Sequence, residues 1–252
     1  MAKKSSNRTR ENKIRVPIMA TESTRQRHEY PETFDDRPFF GLKLDEEQLA
    51  YRDAIWSKDK LIIFCNSVSG TGKTTIAVMT AELLVRSGRY EGIVYITAPV
   101  QEERVGFLPG SIQDKTLVYC EPFYEAATRA GINTYISVKQ EQPPGMANKF
   151  DNAYIDLLSH NYLRGVTFDG KVIIIDEAQN FYLDELKKTL TRVTDSCKTI
   201  VIGHTGQCDL LKKKENAGFA KAIELFNDKP FASVNNLTHN YRGIVSSTAD
   251  EL

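Results

Sequence analysis

The sequence predicts an α/β fold in which a mainly parallel β-sheet lies between two layers of helices, and three observations lead there. Short runs of β-branched and other apolar residues alternate with longer stretches at helical spacing. Those runs are apolar at successive positions rather than at every second one, as in strands covered on both faces. Strand and helix follow each other along the chain, and right-handed crossovers turn that order into parallel pairing.

Taken in order, Lys60-Leu-Ile-Ile-Phe-Cys65 is the first strand, a helix runs from Lys73 to Val85, and Gly92-Ile-Val-Tyr-Ile-Thr97 is the second strand. Lys171-Val-Ile-Ile-Ile175 and Thr199-Ile-Val-Ile-Gly203 are further buried strands. Between them a helix is expected from Leu183 to Val193, because Leu183, Leu186, Leu190 and Val193 share one face while the lysines point elsewhere. Residues 140–150 carry Pro143-Pro144-Gly145 and predict an exposed loop, since this triplet continues neither helix nor strand. The aromatic and proline cluster from Tyr30 to Phe40 marks where order begins, which divides the chain into an arm, 1–29, and a domain, 30–252.

Composition narrows the function classes. With 41% hydrophobic and 26% charged residues in 252, the chain is an ordinary globular one, long enough for one sizeable core. Cys65, Cys120, Cys197 and Cys208 form no C-x-x-C pair, so neither a disulfide framework nor a zinc knuckle is indicated, and a reducing cytoplasm is the expected home. No apolar run approaches the roughly 18 residues of a membrane span, and no membrane partner is expected. The zero net charge hides an asymmetry: residues 1–27 carry eight basic and two acidic side chains, leaving an acidic body. Such a flexible arm serves either as a nucleic-acid tether or as a solubilising tail.

The chemistry begins directly after the first strand. Ser67-Val68-Ser69-Gly70-Thr71-Gly72-Lys73-Thr74 matches G-x-x-x-x-G-K-[ST] with serine in the first glycine position, and Thr75 follows at the start of a helix. In such a P-loop, successive backbone N–H groups turn inward around a phosphate, and the helix N-terminus adds its positive dipole end. Lys73 then faces the β- and γ-phosphates, and the Thr74 hydroxyl ligates Mg2+. Serine at 67 is acceptable if that position needs no positive φ.

The strand ending at Ile175 runs into Asp176-Glu177-Ala178-Gln179-Asn180. Adjacent carboxylates at the carboxyl edge of a sheet are costly unless a cation compensates them, so Asp176 is expected to hold the metal and Glu177 to activate the attacking water. Gln207, after the Gly203 strand, lies where a side chain senses the γ-phosphate or orients water. His204 is given no role.

These residues, with Gly106-Phe-Leu-Pro-Gly110, Lys115, Pro122-Phe-Tyr, Leu163-Arg164-Gly-Val-Thr-Phe168, Leu190-Thr-Arg192 and Gln207-x-Asp209-Leu in that order, resemble the PhoH-like family of P-loop ATPases, related to superfamily 1 helicase motor domains. The match runs from about Gly41 to Ala249. The resemblance implies a RecA-like three-layer sandwich, ATP and Mg2+ as cofactors, and RNA or single-stranded DNA as partner. It implies that Gln48 reads the adenine edge, that Thr97-Ala-Pro99 approaches single-stranded nucleic acid, and that Arg242 is an arginine finger. The chain departs from the family pattern at Ser67, Ala98 and His204. A single core leaves half of a helicase-type site to a neighbour, so a homo-oligomer such as a hexameric ring is expected, with Arg242 acting across its subunit boundary. A regulatory switch with little turnover and a small-molecule kinase are the alternative functions.

Overall fold

The computed structural model describes residues 39–98, 119–139, 152–163, 165–206 and 217–249. The basic arm, the 140–150 loop, Gln207, Pro99 and Lys115 lie outside the described residues. Six strands, β1 (Ile62–Ser67), β2 (Gly92–Thr97), β3 (Ile155–Ser159), β4 (Lys171–Asp176), β5 (Lys198–Gly203) and β6 (Ala232–Leu237), form one sheet in the order β3-β2-β4-β5-β1-β6. Every pairing is parallel. The P-loop strand and the acidic strand are therefore not neighbours; β5 runs between them.

Alternate residues of each central strand feed two separate cores. Ile63, Cys65, Tyr95, Val172 and Ile174 pack with helices α1 (Glu46–Trp56), α2 (Lys73–Arg86) and α3 (Glu121–Arg129). Phe64, Val94, Ile96, Ile173 and Ile175 face α5 (Leu183–Leu190) and α6 (Gly218–Phe226), where Leu186 and Phe219 complete the layer. Short helices α4 (Thr134–Ser137) and α7 (Ile244–Ala249) sit outside these layers, and α7 buries no residue. No described helix is long and apolar enough to cross a membrane.

Four strands and two helices lie where the sequence places them, with shifts at the ends. The first strand is Ile62–Ser67 rather than 60–65, and Lys60 O accepts from the Lys198 ammonium instead of from a neighbouring strand. The helix predicted to Val193 stops at Leu190: Phe168 N donates to Arg192 O at 2.8 Å, and Val193 bridges to Phe168. The sequence reading does not identify β3 and β6, the two edge strands. Asp156 interrupts one, and Ser233, Asn235 and Asn236 occupy the other, so neither shows a continuous apolar run.

Candidate nucleotide site

Parallel strands bring all six carboxyl ends to one edge, and the register brings the chemistry together there. Ser159 pairs with Thr97, Thr97 with Asp176, and Asn66 with Gly203. From β1 the chain turns through residues 68–72 into α2. Gly70 and Gly72 hold φ of 78° and 81°, a left-handed region that glycine enters without a Cβ penalty. Ser67 does not need positive φ, so serine fits the first position. Its hydroxyl accepts from Leu237 N at 3.2 Å and ties β1 to β6. Gly72 caps α2 with no side-chain hydrogen bond, which leaves the first-turn N–H groups of Lys73, Thr74 and Thr75 without a side-chain cap.

Inside the loop, the Lys73 ammonium donates to Val68 O at 3.1 Å, and the Thr71 hydroxyl donates to the same carbonyl at 3.3 Å. Gln48 braces the loop from α1: its Nε2 donates to Thr71 O at 2.9 Å, and its Oε1 accepts from Asp45 N at 3.2 Å. Asp45 in turn accepts from Gln48 N at 2.8 Å, a capping box that starts α1 and fixes Gln48 against the P-loop. Ser69, at the turn itself, is half-buried.

The two motifs that lie a hundred residues apart in sequence meet directly. Thr74 Oγ1 donates to Asp176 Oδ2 at 2.9 Å. Asp176 is 0% exposed, and Tyr95 OH donates to the same oxygen at 2.7 Å, while Glu177 N donates to Oδ1 at 2.9 Å. No Lys or Arg among the described residues forms an ion pair with this carboxylate. Burial pushes the phenol of Tyr95 well above its usual range, and the negative charge of Asp176 adds to that, so Tyr95 remains a donor.

Glu177 follows in the left-handed region, φ 52°, which is uncommon for a residue with a side chain. Its Oε2 accepts from Gln179 Nε2 at 2.5 Å, and Gln179 Oε1 accepts from His204 N at 3.1 Å. Thr205 N then donates to Asn66 Oδ1 at 3.0 Å, closing a chain of contacts from the acidic edge through β5 to the P-loop strand. A Cβ on Gly203 would lie 2.9 Å from Gln179 Oε1, so glycine there makes room for this bridge.

Arg242 belongs to the segment after β6, which folds back over the P-loop of its own chain. Tyr241 N donates to Gly70 O at 2.9 Å, and Tyr241 OH donates to Asp45 Oδ2 at 2.6 Å. That bond pushes the Tyr241 phenol up to about 12. A Cβ on Gly70 would stand 2.4 Å from Asn240 Oδ1 and 3.0 Å from Arg242 Cγ. The Arg242 stem therefore touches the phosphate loop in cis.

Lys73, Thr74, Asp176, Glu177, Gln48 and Arg242 thus converge, and Gln207 alone of the predicted catalytic residues lies outside the described ones. The sequence reading did not single out Tyr95, Gln179, Asn66, Asn240 or Tyr241. Of these, Gln179 carried the clearest signal, an amide two residues after paired acids. Tyr95 was concealed by reading as one more apolar strand residue.

A protein-family model described as PhoH-like protein matches residues 43–246. Protein PhoH of Escherichia coli (strain K12) is 32% identical over 196 residues, covering 77% of this chain and 52% of that protein. A PhoH-like protein of Bacillus subtilis (strain 168) is 31% identical over 166 residues, covering 65% of this chain and 48% of that protein. The chain spans about half the length of these relatives. Among solved structures, the HK97 bacteriophage large terminase is similar with a TM-score of 0.49 at 12% identity, over 77% of this chain and 39% of that one. With the family model covering most of the chain and its glycine-lysine-threonine loop seated between a parallel strand and a helix, the chain belongs to the PhoH-like protein family and has a P-loop α/β fold with an all-parallel sheet.

Proposed function

We propose that this protein hydrolyses ATP with Mg2+ and couples the hydrolysis to binding RNA or single-stranded DNA. The observation that carries the reading is the 2.9 Å hydrogen bond from Thr74 to the buried Asp176. It joins the phosphate loop to a desolvated carboxylate with no cation of its own among the described residues. Burying such a charge is costly, and an oxygen-ligated dication offsets it. The Thr74 hydroxyl donates its hydrogen bond to Asp176 and keeps its lone pairs free, so both residues suit a magnesium ion. Bound there, the ion would neutralise phosphate charge as the γ-phosphoryl group transfers.

The protein's own groups do the rest. Lys73 exchanges Val68 O for the β- and γ-phosphate oxygens, and the capless first turn of α2 donates its N–H groups to the phosphates. Glu177 takes a proton from water as the water oxygen bonds to the γ-phosphorus and the bond to the bridging oxygen breaks, giving ADP and phosphate. Arg242, beside Gly70, supplies a cation for the developing charge from within the same chain. Gln48 uses its remaining amide N–H toward the adenine edge, and Gln207 orients the water. Assembly into a closed ring is proposed on a separate ground, because a single core supplies only half of a helicase-type site and a second copy would supply the other half.

A second reading, a switch with little turnover, draws on the hold that Gln179 has on Glu177. In that case the base stays engaged and bound ATP is the signal. ATP turnover titrated with RNA and DNA oligonucleotides separates the two. Stimulation by either nucleic acid, together with a Glu177→Gln variant that binds ATP but turns over about 10²-fold or more slowly, is expected for the motor. Turnover indifferent to both nucleic acids favours the switch, and loss of ATP binding in Glu177→Gln makes that residue structural.

A further inference from the structure

We infer that Tyr95 is a positioning residue for the metal carboxylate, setting Mg2+ affinity through its hydrogen bond to Asp176. The inference rests on the hydrolysis reading above. Tyr95 pairs with Ile174 across β2 and β4, and Thr97 pairs with Asp176. Tyr95 is thus two residues behind the carboxylate on the same face of the sheet, and the length of its ring brings the hydroxyl forward to Oδ2 at 2.7 Å. A leucine or isoleucine would fill the same core without reaching.

The ring is 0% exposed and lies 5.2 Å, centroid to centroid, from Phe123 of α3, which leaves the phenol little freedom to turn elsewhere. Asp176 receives three donors: Thr74 and Tyr95 on Oδ2, and Glu177 N on Oδ1. Thr74 belongs to the first turn of α2 and is itself a proposed metal ligand, whereas the Glu177 amide sits at the left-handed turn that aims the base. Tyr95 is the one side-chain donor to Asp176 that is rooted in the sheet, among the described residues. It holds the carboxylate in place independently of how the P-loop adjusts to nucleotide. Partners of a metal ligand that do not touch the metal fix the ligand's direction in this way.

The test is Tyr95→Phe, which keeps the ring and deletes the donor. Binding of a fluorescent ATP analogue is titrated with Mg2+ and repeated in EDTA, Mn2+ binding is followed by electron paramagnetic resonance, and thermal melting checks the fold. The half-saturating metal concentration is expected to rise about 10–100-fold. Nucleotide binding in EDTA is expected to stay as in the unmodified protein. Para-aminophenylalanine at 95, which restores a donor at the same place, is expected to bring the metal midpoint back. If Tyr95→Phe does not fold, Tyr95→Leu gives the same comparison. An unchanged metal midpoint in a folded donor-free variant overturns the inference. So does an equal loss with and without metal, which is the mark of packing alone, and so does failure of the amino analogue to rescue. If the unmodified protein itself shows no Mg2+-dependent nucleotide binding, the hydrolysis reading falls instead.

Discussion

Two fully buried charges stand at opposite edges of the same sheet, and they are handled differently. Lys198 begins β5 at the amino edge, and Asp176 ends β4 at the carboxyl edge; both are 0% exposed. The Lys198 ammonium donates to Ser57 O at 2.5 Å and also to Lys60 O, so the chain's own carbonyls meet its donors while burial still disfavours its charge. Asp176 accepts hydroxyl and amide donors but meets no cation among the described residues. The lysine staples the start of β5 to the turn before β1. The aspartate, equally buried, has no ion-pair partner among the described residues, and under the proposed function a bound Mg2+ would supply its cation. Burial of a charge therefore does not by itself distinguish a staple from a site; what separates these two is the partners each meets, backbone carbonyls of a turn for Lys198 and the phosphate-loop Thr74 for Asp176.

Three experiments sharpen or break that contrast. The largest effect is expected at Arg242, an exposed cation beside the phosphate loop. Arg242→Ala should lower turnover by about 10³-fold if it behaves as an arginine finger. Because its stem touches Gly70 of the same chain, mixing Arg242→Ala subunits with Lys73→Ala subunits should restore nothing. Recovery of turnover in the mixture would mean that the finger acts on a neighbour's phosphates.

The second experiment removes each of the two buried charges in turn. Asp176→Asn should cut turnover by about 10²-fold or more while changing stability by no more than about 1–2 kcal/mol, since a hydrogen-bonded but uncompensated charge is removed. Lys198→Met should leave turnover intact. Parallel turnover and denaturant-unfolding measurements decide it, and an Asp176→Asn protein that fails to fold would erase the distinction.

The smallest effect is a pH slope. Burial lowers the Lys198 pKa from its ordinary value near 10.5 to about 8, with the nearby Arg89 adding to it and Asp59 opposing it. Between those values the unfolded chain holds a proton that the folded chain has released, so stability rises with pH. The cost of keeping Lys198 charged is fully present below pH 8 and fades toward 10.5. From pH 8 to 9.5 the unmodified protein should gain about 1–2 kcal/mol relative to Lys198→Met. Identical slopes would mean that the carbonyls of Ser57 and Lys60 keep the ammonium fully charged.

The contrast also explains what was legible beforehand. The P-loop and the Asp176–Glu177 pair can be read in sequence because their chemistry requires contiguous residues in a fixed order. The central strands are legible because burial on both faces demands apolar residues at successive positions. Edge strands β3 and β6 are only partly covered, so burial demands apolar residues at fewer of their positions, and their polar residues read as loop. Tyr95 acts through the end of its ring while its body packs like any core residue, so its donor role is invisible until Asp176 is placed opposite. Arg242 is visible as a motif residue, but which P-loop it serves depends on the path of the chain after β6, and no local pattern encodes that path.

Gly70 carries a last consequence. Its carbonyl is bonded to the Tyr241 amide, and its bare α-carbon leaves the space that Asn240 and Arg242 occupy. The phosphate loop and the segment leaving β6 are therefore in direct contact at Gly70, besides the indirect link through Asp45 and Gln48. A displacement of the chain beyond Gly243 reaches the P-loop directly through residues 240–242, in addition to the β1–β6 pairing, and under the proposed function a change in loop shape with nucleotide would pass outward by the same short linkage. Any side chain at position 70 would act as a wedge in that joint, loosening the lever even if the loop still held phosphate.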